Sequence, residues 1–149
     1  MRLLQNAAIA AALGIATPAS AQFAKPEDAY KYRTGVMTLQ NAHMGRISAQ
    51  LRSPSPNLQV IAENAILVDT FNKLFYTAFP DGSDTIANSR AKPELWKNRA
   101  KFKEYADRLN GDVAKLVAAS KSGDMDATRS AFQATTGACK ACHDDFRRD

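Results

Sequence analysis

Four stretches of the chain repeat their inward positions with a helical period. Met37, Gln40, Met44, Ile47 and Leu51 follow each other at three- and four-residue steps, and Leu58, Ile61, Ala65, Val68 and Phe75 share a second face. A third face carries Leu95, Phe102, Tyr105, Leu109, Val113 and Leu116, and a fourth carries Phe132, Thr135, Cys139, Cys142 and Phe146. Spacing of this kind puts apolar side chains on one side of an α-helix. No stretch sustains the two-residue alternation of a strand.

Breakers sit between the stripes. Pro26, Pro56 and Pro93 suit the first turn of a helix, where a missing N–H costs nothing. Asp124, following Gly123, suits an N-cap. The pattern predicts helices near 26–51, 57–79, 93–119 and 124–147, joined by short links at Ser53–Pro56 and Ser120–Gly123 and a longer one at Pro80–Lys92. Short links favour antiparallel neighbours, so the expected fold is an all-α, antiparallel up-down four-helix bundle in one domain.

The first residues stand outside this pattern. Arg2 is followed by the uncharged, apolar Ala7–Ile15 and then by Ala19-Ser20-Ala21, a small-x-small cleavage site. Residues 1–21 therefore read as a cleaved export signal, too short for a membrane span, leaving a domain of residues 22–149 in an extracytoplasmic compartment. The full chain has 149 residues and a net charge of +5, with lysines and arginines spread along all four helices. Basic residues without a clustered stripe argue against a nucleic-acid partner and for solvated faces, with a few meeting acidic groups.

Two cysteines are all the chain has, and they stand in Cys139-Lys140-Ala141-Cys142-His143. Cys-x-x-Cys-His is the attachment pattern of a c-type haem. Thiols three residues apart on a helix lie on one side, where they add across the two vinyl groups of one porphyrin, and the adjacent histidine ligates iron. Rival readings are poorer. Zinc needs about four ligands and His43 is the only other histidine. A thioredoxin-type pair belongs beside a βαβ pattern, and a disulfide within this motif closes a loop too small to stabilise much.

With that motif close to the C-terminus of a four-helix pattern, the sequence resembles the cytochrome c′ family. The likeness runs through Gln22-Phe23-Ala24-Lys25-Pro26-Glu27-Asp28-Ala29, Tyr32-Arg33, Lys92-Pro93-Glu94-Leu95-Trp96 and Cys139 to Asp144. It implies a periplasmic homodimer holding one haem c through Cys139 and Cys142, with His143 as the only protein ligand to five-coordinate iron. An apolar residue crowds the opposite face in this family, and that position falls on Met37. Arg33, one turn earlier, then reaches a haem propionate, with Thr34 beside it as a further cofactor-binding candidate. By the same resemblance Arg147 sits near the His143 imidazole; as a bare sequence feature it is equally a cation placed at a helix C-terminus.

Three functions follow. The first is a high-spin haem protein that binds nitric oxide or carbon monoxide, carries electrons to redox partner proteins, or does both. In the second, Met37 is the sixth ligand, since thioether sulfur binds haem iron, giving a low-spin carrier; Met37 as a flexible core filler is the bland alternative. Third is a peroxidase-like enzyme, disfavoured because no acid–base histidine aligns with Met37. Among the remaining residues, His43 reads as a surface or interface histidine. Tyr76, Phe79 and Trp96 pack the core or cover haem, and Gly137, Ala138 and Ala141 let a porphyrin lie close to the last helix.

Overall fold

In the computed structural model residues 22–148 are described. The expected export segment, residues 1–21, lies outside them. Helix α1 spans Pro26–Arg52, α2 Leu58–Phe75, α3 Glu94–Lys97, α4 Arg99–Ser122 and α5 Met125–Phe146. Their starts are chemically marked. Pro26 opens α1, with Glu27 and Asp28 in the first turn to complement the helix dipole. The Asn57 side chain accepts from the N–H groups of Gln59 and Val60 at 2.9 and 3.2 Å, and that of Asp124 from Ala127 at 2.9 Å. Gly123 ends α4 at φ 84°, a left-handed turn that favours glycine.

Four long helices form the expected all-α bundle, with two departures from the periodicity. The third stripe is not one helix: it breaks at Asn98, whose backbone leaves the helical region at φ −123°, ψ 61°. Its side chain instead accepts from the N–H of Lys101 at 3.3 Å and caps α4. Asparagine competes for backbone groups in this way, so it favours caps over helix interiors. The second helix also ends early, at Phe75, and runs on as a 3₁₀ turn over Tyr76–Ala78.

An aromatic cluster fills one end of the core. Phe102, 1% exposed, has ring centroids 6.1 Å from Phe75, 5.2 Å from Tyr76, 5.0 Å from Phe79 and 5.9 Å from Phe146. Edge-to-face and stacked pairs of this kind add about 0.5–1.5 kcal/mol each beyond area burial. Towards the other end Ile47, Leu51, Ile61, Ala65, Val113 and Leu116 continue the core.

The helices close a square on three sides only. α1 packs on α2, α2 on α4 and α4 on α5, whereas among the described residues α1 and α5 scarcely approach each other. Their ends are tied. The Arg129 guanidinium of α5 donates to the Leu51 carbonyl of α1 at 2.6 Å. At the opposite end the Pro80–Lys92 connection bridges the two helices, pairing Ala91 with Arg147 in an isolated antiparallel bridge. Between these ties the flanking apolar side chains Met37 and Met44 of α1, and Phe132, Cys139 and Cys142 of α5, are only half-buried against the core.

Candidate functional site

Cys139 and Cys142 are one helical turn apart on α5, both free thiols and both packed against the core beside the α1–α5 seam. Burial pushes the Cys139 thiol up; the Cys142 thiol is pushed to about 11 by burial, with Cys139 and Asp145 adding to it. They are protonated at neutral pH, unlike the low-pKa thiolate of a disulfide oxidoreductase. Apolar, adjacent thiols beside a half-open apolar seam fit covalent addition to a porphyrin. Ala138 is buried, Ala141 half-buried, and a Cβ on Gly137 would meet nothing within 4 Å, so this stretch of α5 presents little bulk.

His143 follows on the same helix, solvent-exposed, with its Nδ1 3.5 Å from Nη1 of Arg147. Partial desolvation by surrounding atoms lowers its pKa, and the cations of Arg147 and Arg90 lower it further against the opposing Asp144. The imidazole is thereby held neutral, the state a metal requires. A solvent-open cleft of about 620 Å³ surrounds it, lined by Arg90, Lys92, Asp144, Arg147 and Arg148 besides His143 itself. Lys140 holds the Asp144 carboxylate at 2.5 Å, so the cleft is predominantly basic.

On the neighbouring face of α5, Asp145 accepts from Tyr105 Oη at 2.6 Å and pairs with Lys101 at 2.7 Å. Those two hydrogen bonds, from Lys101 first, hold its carboxyl below the usual range. Tyr105 also meets Phe146 edge-on at 6.0 Å, so this pair fixes the rotation of α5 against α4.

Across the seam, α1 differs from its sequence stripe. Arg33 is 3% exposed and Val36 is buried, while Met37, Gln40 and Met44 are half-buried. Arg33 was expected to reach a haem propionate; here both terminal nitrogens serve the connection after α2. Nη1 donates to the Ala78 carbonyl at 3.3 Å and Ser83 Oγ at 2.9 Å, and Nη2 donates to the Ser83 carbonyl at 3.0 Å and Ser89 Oγ at 3.1 Å. The guanidinium lies over the rings of Phe79, Tyr30 and Trp96 at 4.9, 5.3 and 5.5 Å. Neutral acceptors and π faces thus carry a buried cation that, among the described residues, has no carboxylate partner. Desolvation lowers its pKa, though a guanidinium stays charged. Thr34 is exposed and its hydroxyl donates to the Tyr30 and Lys31 carbonyls at 2.9 and 3.0 Å.

The other candidates resolve simply. His43 bonds through Nδ1 to Asn64 Oδ1 at 2.8 Å and stacks on Phe71, so it faces α2. Trp96 donates to the Pro80 carbonyl at 3.0 Å and covers Phe79. Sequence reasoning missed Ser83, Ser89 and Arg90, because the connection that carries them has no periodicity.

Comparison with known proteins agrees with this geometry. The family model described as cytochrome C′ matches residues 28–147. A cytochrome c′ of Rubrivivax gelatinosus is 44% identical over 127 residues, covering 85% of this chain and 98% of that protein. Its crystal structure superposes with a TM-score of 0.80, covering 85% of this chain and 100% of that one. The nitric oxide complex of a variant cytochrome c prime from Alcaligenes xylosoxidans is 36% identical, with a TM-score of 0.79 over 86% of this chain and 99% of that one. Family members bind haem c, and the thiols of Cys139 and Cys142 provide its covalent attachment; the chain belongs to the cytochrome c′ family.

Proposed function

We propose that the protein is an exported, periplasmic haem c protein with five-coordinate, high-spin iron that binds nitric oxide and carbon monoxide. When bound, haem supplies an iron that takes a diatomic gas or exchanges an electron. What supports the reading is Cys139-x-x-Cys142-His143 on α5 together with a half-buried Met37 on α1, the two helices whose shared seam is left open among the described residues. The ends of that seam are tied, so the two sets of residues stand at a held separation. Met37 comes four residues after Arg33, about 6 Å along α1, and Arg33 is joined through Ser89 to the connection that pairs with Arg147 at the end of α5.

In this reading His143 would hold the iron through its other ring nitrogen, leaving a protonated Nδ1 facing Arg147. Two donors cannot bond each other, so Arg147 acts as a charge. A cation there would disfavour imidazolate character and make His143 a weaker donor to the metal, the opposite of a carboxylate partner. Met37 excludes ligands that need room or a hydrogen-bond donor on its side. Arg33 and Thr34 would stand towards the carboxylate edge of the cofactor, where a propionate would add a negative partner to the buried Arg33 charge. Support for gas binding comes from the Alcaligenes relative that holds nitric oxide.

A second reading keeps the same residues with Met37 Sδ as sixth ligand, in a low-spin electron carrier. It is favoured by the half-buried thioether beside the seam. A visible spectrum of the reduced protein separates the two: one broad band is expected for high-spin iron, and sharp split bands would overturn the preferred reading. A peroxidase role is disfavoured because His43 is engaged by Asn64 and Phe71.

Dimerisation has its own support. Leu39 on α1 and Ile66, Leu67 and Leu74 on α2 are 45%, 41%, 40% and 39% exposed. All four lie on the first two helices, and exposed apolar side chains of this kind suit contact with a second copy of the chain. Leu67→Lys should shift a dimer to monomer in sedimentation; an unchanged mass would count against that face. Export rests on residues 1–21, and N-terminal sequencing starting at Gln22 is the expected result.

A further inference from the structure

Ser89 lies in the connection between α2 and α3, 6% exposed, and its hydroxyl oxygen accepts two hydrogen bonds. One comes from Arg33 Nη2 at 3.1 Å, the other from the backbone N–H of Ala91 at 3.2 Å. Beyond Ser89 the chain becomes a strap along the end of α5. The Lys92 N–H donates to the Phe146 carbonyl at 2.8 Å, and the Arg148 N–H to the Arg90 carbonyl at 2.7 Å. Arg90 Nε reaches the Arg148 carbonyl at 3.2 Å, and Lys92 Nζ reaches the Asp144 carbonyl at 3.0 Å.

Opposite Ala91 in this bridge stands Arg147, the first residue past α5, with extended backbone at φ −118°, ψ 136°. Helix ends fray unless something holds them, and no left-handed glycine closes this one. The Arg147 N–H closes onto the His143 carbonyl at 2.9 Å, and the strap holds the extended backbone on either side of it, at Phe146 and Arg148, from where its guanidinium stands beside His143. A single hydroxyl thus joins a buried cation on α1 to the backbone that aims the cation at the His143 ring.

We propose that Ser89 is a positioning residue for the axial histidine: through the strap it sets where Arg147 stands, and so how strongly that charge bears on the imidazole. The proposal rests on the reading of His143 as iron ligand. Replacing Ser89 by alanine removes one oxygen. Ala91 N–H loses its partner, whereas Arg33 keeps Ala78 and Ser83. Ser83→Ala is the control, because it takes a partner from Arg33 and leaves the strap intact.

The test uses the haem-loaded full chain and two readouts: amide exchange at Lys92 and Arg148, and the iron–histidine stretching band of the reduced protein. In Ser89→Ala, exchange at both amides should rise about tenfold or more, and the band should move towards its position in Arg147→Ala. Ser83→Ala should leave both near wild type even where its melting temperature falls, and Ser89→Thr should restore them. Unmoved exchange and band in Ser89→Ala, or equal changes in Ser83→Ala, would overturn the proposal. The underlying reading is checked apart. A His143→Ala protein that keeps its spectrum overturns the ligand assignment, whereas loss of that spectrum beside an unmoved Ser89→Ala band overturns the positioning role alone.

Discussion

The Arg147 guanidinium stands 3.5 Å from Nδ1 of His143, one turn of chain away, with no carboxylate pairing it among the described residues. An axial histidine facing a cation has less electron density to give than one facing a carboxylate. Arg147→Ala should therefore strengthen the axial bond, raising the iron–histidine stretching frequency and lowering the reduction potential. A lowered frequency would contradict the electrostatic role.

The same contact has a pH signature in the haem-free chain. His143 is held below its ordinary value by desolvation first and Arg147 second. Because the unfolded state binds the proton more readily, stability should fall as pH drops from about 6.5 towards the folded value. Ring titration by NMR should give a midpoint below 6.5, moving up in Arg147→Ala; a midpoint above 6.5 would refute the cause.

Met37 gives the clearest kinetic test. Met37→Ala should open its side of the cofactor and speed carbon monoxide binding by about tenfold or more, a loss of roughly 1.4 kcal/mol of barrier. Flash-photolysis rates equal to wild type would place the crowding elsewhere.

Phe102 joins α4 to α2, the 3₁₀ turn and α5 through four ring contacts. Phe102→Ala should cost about 3–5 kcal/mol by cavity formation, read as a fall in the denaturant midpoint. A smaller loss with an unchanged m-value would mean that the cluster collapses around the gap.

Asp145 is linked to stability in the same sense as His143, but in a more acidic range. Hydrogen bonds from Lys101 and Tyr105 depress its carboxyl, so its contribution is complete above its unfolded pKa of about 3.9 and is lost as pH falls through the folded value. Asp145→Asn should flatten that part of the stability–pH curve while lowering stability at neutral pH. An unchanged acid limb would show that the pair adds nothing.

Much of this architecture was readable from spacing alone. Three-and-four steps located the four long helices, because burying one face of a helix is what the core demands of it. Cys139-x-x-Cys142-His143 was readable because haem attachment fixes both residue type and interval. Asn98 was not, since its capping role overrides a stripe that runs on through Leu95 and Phe102. The burial of Arg33 was not legible, for a different reason. A cation on the stripe reads as facing solvent or an anion, and only the fold supplies the carbonyls, hydroxyls and rings that bury it. Ser89 sits in a segment whose order comes entirely from partners distant in sequence, and no local pattern records such partners.

The open seam between α1 and α5 bears on how the chain assembles. Among the described residues every close helix pairing joins elements consecutive along the chain, apart from the one-turn α3, so the three closed sides can form by local search, the regime in which helical proteins fold fastest. The pairing that would demand the longest chain closure, first helix to last, is made only at its ends. Slow, entropy-limited closure is therefore not a condition for forming the helix that carries Cys139 and Cys142. That helix can be laid down against α4 with its thiols still approachable from the side, an order of events suited to a cofactor stitched on after the polypeptide is made.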